Sequence, residues 1–161
     1  MSSLPHEARR AQIVISGVEK GTHIEGVLAT GHAAILPGTW VERKDSTNEN
    51  GQNRFTWQAF QPGAAAPGLV GILEEDRHQG KDTNVAYVGD DHVFVYVPQK
   101  GDELNMLMEQ GSNPAGTTIQ PKTATGIGEV AVVGNDYPKL ALQEDGPASG
   151  GTALRMVHVL N

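Results

Sequence analysis

The sequence predicts an all-β fold, a compact barrel or sandwich of short, mostly antiparallel strands. Three observations carry this. Short apolar runs recur along the whole chain, each closed by a cluster of Gly, Pro, Asn or Asp. The 20 glycines and 9 prolines are scattered through the chain, as many turns require. No stretch combines helical periodicity with the length of an ordinary amphipathic helix.

The runs follow in order. Ile13–Ile15, Ile24–Leu28, Ala33–Leu36 and Thr39–Arg43 are the first four candidates. Between Arg54 and Phe60 the pattern alternates, with Phe55, Trp57 and Ala59 on one face, the period of a half-buried strand. Leu69–Leu73 follows. Val93–Val97 is apolar at every position and stops at Pro98, which describes a strand buried on both faces. Asp102–Gly111 fits two readings. Leu104, Leu107 and Met108 make a helical stripe, and Leu104, Met106 and Met108 make a strand face. The surrounding strands favour the second. Ile127–Val133, Leu140–Gln143 and Leu154–Leu160 complete the set.

The connections are distinctive. Lys44–Asn53 has no apolar side chain, and Gln61–Gly68 is built from small residues and two prolines. Gly111–Gly126 reads as a long polar loop with Ile119 its only large apolar residue, and Gly146–Gly151 as a flexible joint. Residues 1–12 lack the apolar surface to dock alone and read as an N-terminal arm on a single β domain, 13–161. No sequence repeat is visible beyond the Gly-Asp turns at Gly89-Asp90 and Gly101-Asp102.

Composition narrows the chemistry. A chain of 161 residues buries enough surface to fold without covalent staples. The absence of cysteine excludes disulfides, thiolate zinc sites and cysteine nucleophiles. The net charge of −7 falls entirely in residues 61–161, which hold six Lys/Arg against thirteen Asp/Glu. Nucleic-acid binding draws on cationic side chains, so no nucleic-acid partner is expected. No apolar stretch has the length of a signal peptide core or a membrane span, so no membrane partner is expected either.

The candidate chemical motifs are weak. Six histidines (His6, His23, His32, His78, His92 and His158) show no metal-ligand spacing. Asp90-Asp91-His92 reads as a solvated turn before a strand rather than a metal site. Glu74-Glu75-Asp76 would place Glu74 and Asp76 on one face if the strand continued, as an acid–base pair requires, but it also reads as an acidic turn. Gly126-Ile127-Gly128-Glu129-Val130-Ala131 matches a dinucleotide fingerprint without the flanking strand and helix that make it work. Trp40 and Trp57 would serve a sugar-binding face if exposed, although their apolar strand context favours the core. The expectation is a non-enzyme with no catalytic residues, no metal and no cofactor.

One ordered set of motifs goes further. It runs from Pro37-Gly38-Thr39-Trp40-Val41-Glu42 through Leu73-Glu74-Glu75-Asp76 and Gly80-Lys81. Ala86-Tyr87-Val88-Gly89-Asp90, Val93–Pro98 and Gly101-Asp102-Glu103-Leu104 follow. In this order the chain resembles capsid decoration (cement) proteins of tailed bacteriophages, from Pro37 to about Val133, roughly 60% of its length. Where a further Gly-Asp is usual in that group, this chain has Gln120-Pro121-Lys122. The resemblance implies a β-barrel or β-tulip-like fold on the capsid exterior of a virion. It implies the major capsid protein as partner and a homo-oligomer, trimer before dimer. A carbohydrate- or receptor-binding module of a head fibre or tail is the alternative it leaves open.

Overall fold

The computed structural model describes residues 13–15, 21–44, 55–61, 69–111, 113–134, 137–147 and 151–161. Ten strands form two closed five-stranded barrels. The first is built from β1 (Thr22–Leu28), β2 (Trp40–Arg43), β3 (Phe55–Ala59), β4 (Val70–Leu73) and β5 (His92–Val97). The second is built from β6 (Glu103–Met108), β7 (Thr118–Pro121), β8 (Gly128–Val130), β9 (Leu140–Leu142) and β10 (Ala153–Val159). The arm, residues 1–12, lies outside the described residues.

The two barrels have one topology. Around the first the order is β1-β3-β2-β4-β5, and around the second β6-β8-β7-β9-β10. In each, the first strand runs parallel to the third and every other pairing is antiparallel. Even the longest ladders match, six residue pairs for β1 with β5 and six for β6 with β10. The chain is therefore a tandem of two equivalent barrels whose sequences show no repeat. A barrel specifies which positions face inward and where the chain turns, and many side-chain sets satisfy those conditions.

Packing joins the two. Leu28, Val41, Trp57, Leu73, Tyr87, Val93 and Val95 fill the first barrel. Trp40, Phe60, Ile72 and Tyr96 come from the same part of the chain but join a cluster with Leu104, Met106, Met108, Ile119 and Val157 of the second barrel. The alternation of Trp40 with Val41, Ile72 with Leu73 and Tyr96 with Val95 thus feeds two cores from opposite faces of β2, β4 and β5. This is why Val93–Val97 is apolar at every position.

A polar junction fixes the short linker between β5 and β6. The buried Tyr96 hydroxyl donates to Asp102 Oδ2 at 2.7 Å and accepts from the Gly21 N–H at 2.8 Å. The same Asp102 oxygen accepts from the Gln99 N–H at 2.8 Å. At the other side of β6, Val14 bridges Leu104, the Asn105 N–H donates to the Ile13 carbonyl at 2.8 Å, and Ile13 is fully buried.

Residues 103–108 form a strand, with Leu104, Met106 and Met108 in the core. Three expectations need correction. Ala33–Leu36 is not a strand. Only Ile35 pairs, exchanging both backbone hydrogen bonds with Tyr87 at 3.0 and 2.8 Å, and Pro37 ends the run without an N–H to offer. The segment 111–126 is not one long loop, because it contains β7. Gln120 disguised it. This fully buried amide donates to Glu129 at 3.1 Å and accepts from the Val132 N–H and Lys139 Nζ, so a polar residue occupies a strand position at little cost. Ile127–Val133 contributes a shorter strand than expected, ending at Val130.

Candidate functional site

Most of the singled-out polar residues meet at one corner of the first barrel, between β4 and β5. β4 ends at Leu73, so the period of two that would align Glu74 with Asp76 does not continue. Asp76 instead caps a single 3-10 turn, Arg77–Gln79, accepting from the His78 N–H at 3.0 Å and from the Gln79 side chain. Gly80 closes that turn in the left-handed region (φ 71°). Asp76 and Lys81 then exchange backbone hydrogen bonds at 2.6 and 2.8 Å.

Lys81 and Tyr87 form the centre of the corner. Lys81 Nζ donates to the Ala86 carbonyl at 2.9 Å and pairs with Asp91 Oδ2 at 3.0 Å. The fully buried Tyr87 donates its hydroxyl to the Glu74 carbonyl at 3.0 Å. Burial, and then the nearby charges of Asp76, Glu75, Glu74 and Asp91, push the Tyr87 phenol well above its ordinary value, so it stays a neutral donor. Partial burial opposes ionisation of Asp91, but the Val88 N–H and the Lys81 ammonium outweigh it and hold the carboxyl below the usual aspartate value.

The carboxylates diverge. Glu74 Oε2 lies 2.8 Å from His23 Nδ1, Glu75 Oε2 accepts from the Ile13 N–H at 2.9 Å, and Asp76 serves its own turn. Asp90, at φ 70°, accepts from the Thr30 hydroxyl at 2.6 Å, whereas Asp91 faces Lys81. His92 receives the Gln79 amide at 3.2 Å and lies 3.9 Å from Glu25. Among the described residues no three His, Asp or Glu side chains group as metal ligands. The arrangement clamps a turn, crossing from β4 to β5 and back to the segment at Ile13.

The remaining candidates have structural positions. Gly126 lies in a turn at φ 67° and Gly128 opens β8, so no helix N-terminus follows the fingerprint-like run. Trp40 and Trp57 are 1% and 0% exposed, which removes both as sugar-stacking platforms. Neither indole N–H has a hydrogen-bond partner among the described residues. Of the other histidines, His78 lies in the capped turn and His158 pairs with Glu103 and Ala141 in the second barrel's ladders, while His6 lies outside the described residues.

Three surface features had no sequence signal. An open polar cleft of about 400 Å³ is lined by Arg77, Gly80, Asp82, Thr83 and Asn84. A groove of about 320 Å³ between the barrels is lined by His32, Ile35, Leu36, Ala59, Leu107 and Ile127, among others. At the end of β8 and just after it, Val130, Val132 and Val133 are 48%, 52% and 100% exposed. Each depends on positions set by the tertiary fold.

No family model matches this chain, and no curated protein matches it.

Proposed function

We propose that this protein is a non-enzymatic structural component of a tailed-phage virion that binds the outer surface of the capsid and stabilises the lattice of the major capsid protein. The observation that carries the reading is the exposure of Val130, Val132 and Val133. Exposed valines at the end of a short strand and in the turn after it offer apolar area to another protein. The ordered motifs from Pro37 to Val133 add the type of partner by resemblance. The carboxylates that would have supported hydrolysis are spent on turn capping and strand pinning instead. Both tryptophans are buried, which removes the sugar-stacking residues the carbohydrate-binding alternative would have used.

Both five-stranded sheets close, and closure removes the free edges on which a partner strand pairs. The contact proposed is made by side chains at the exposed valines, multiplied by many symmetric copies, with a homotrimer as the form the resemblance implies. The test is co-sedimentation with purified capsid shells, followed by thermal disruption of the shells. Saturable binding that raises the shell's disruption temperature, and that Val132→Asp and Val133→Asp together abolish without changing the protein's own melting, supports the reading. A protein left in the supernatant by every shell form overturns it.

A further inference from the structure

We propose that His32 is a proton-sensitive latch on the groove between the two barrels. Both ring nitrogens are committed. Nδ1 lies 2.6 Å from the Ala33 carbonyl, which can only accept, so Nδ1 carries the proton. Nε2 lies 3.0 Å from the Ala59 backbone nitrogen, whose N–H can only donate, so Nε2 is the lone-pair acceptor. The geometry therefore selects one neutral tautomer. A proton on Nε2 turns the acceptor into a donor facing another donor, and the bond to Ala59 is lost.

That bond joins two walls of the groove. Ala59 is the last residue of β3, and His32 begins the segment that continues through Ile35 and Leu36 along the same groove. Among the described residues the groove lining contains no titratable side chain besides His32. On the other side the His32 segment packs against Gly89, next to Asp90, which holds Thr30, and Asp91, which pairs with Lys81. Those two carboxylates are engaged elsewhere, so the ring's own proton decides the latch. Acidification removes this side-chain tie between the 32–36 wall and β3, while Ala29, bonded to the Trp57 carbonyl, and the Ile35–Tyr87 bridge still anchor the segment's two ends.

The experiment is residue-resolved NMR on the whole chain, comparing about pH 8 with about pH 5. Long-range nitrogen–proton correlations on the His32 ring should show the Nδ1–H tautomer at the higher pH. On acidification, after correction for intrinsic exchange, the Ala59 amide should lose about five- to tenfold more protection than the Trp57 amide, as expected for a single lost hydrogen bond. In His32→Gln, whose side-chain oxygen accepts without titrating, this extra loss should vanish. An Nε2–H tautomer, equal Ala59 protection at both pH values in the wild type, or the same extra loss in His32→Gln overturns the proposal. Should His32→Gln fail to fold, the wild-type tautomer and the Ala59-to-Trp57 comparison decide it alone.

Discussion

Tyr96→Phe tests the junction between the two barrels with little change in packing, because the ring stays and only its hydroxyl is removed. Among the described residues that hydroxyl donates to the Asp102 carboxylate at 2.7 Å and accepts from the Gly21 N–H at 2.8 Å. A hydrogen bond to a charged group is worth about 1.5–3 kcal/mol net, and one between neutral groups about 0.5–1.5 kcal/mol. Asp102 is 1% exposed, so water does not readily replace the lost donor, whereas Gly21 is partly exposed and recovers part of its loss. The expected loss is about 2–4 kcal/mol in urea unfolding followed by tryptophan fluorescence. In a chain of this size that corresponds to a fall in Tm of about 5–12 °C. Because Trp40 and Trp57 sit in different clusters, the fluorescence reports both barrels, and their shared packing predicts a single transition. Combined with Asp102→Asn, the two losses should fall short of additivity by about 1 kcal/mol or more. A Tyr96→Phe loss below about 0.5 kcal/mol would refute the assignment of this pair as the junction's main polar tie.

Other substitutions separate further causes. Gly126 and Gly116 both adopt positive φ, but a Cβ on Gly126 would lie 2.0 Å from the Trp40 carbonyl oxygen, whereas Gly116 has open space. Gly116→Ala should cost about 1–2 kcal/mol for backbone strain alone. Gly126→Ala should cost about 3–5 kcal/mol because overpacking adds to it, and thermal unfolding of the two variants makes the comparison. Gln120→Ala leaves the Val132 N–H and Lys139 without their acceptor, and should cost about 1–3 kcal/mol in the same assay. Asp91→Asn tests acid stability. A carboxyl held below its unfolded value of 3.8 adds stability that is present above that value and lost as pH falls through the lowered one. The wild type should therefore exceed Asp91→Asn by a constant margin near neutral pH, and the margin should shrink only below about pH 4, measured by urea unfolding across pH.

What the sequence by itself determined was the class of fold and most of its strands. Alternation and turn punctuation are local, so Phe55–Ala59, His92–Val97 and Leu140–Leu142 were legible from spacing alone. Where local signals conflicted, tertiary contacts decided. Residues 103–108 became a strand because β10 and the segment at Ile13 pair with both sides of it. β7 was hidden because its buried Gln120 is polar and is satisfied only by Glu129, Val132 and Lys139. The acidic turn was visible as composition, but its purpose was not. Glu74, Glu75 and Asp76 point to His23, Ile13 and their own turn, partners up to 62 residues away that no spacing rule reveals. The duplication is the largest feature that only the tertiary structure showed. A barrel is defined by which strand pairs with which, and pairing is a long-range property that two unrelated-looking halves of one sequence can share.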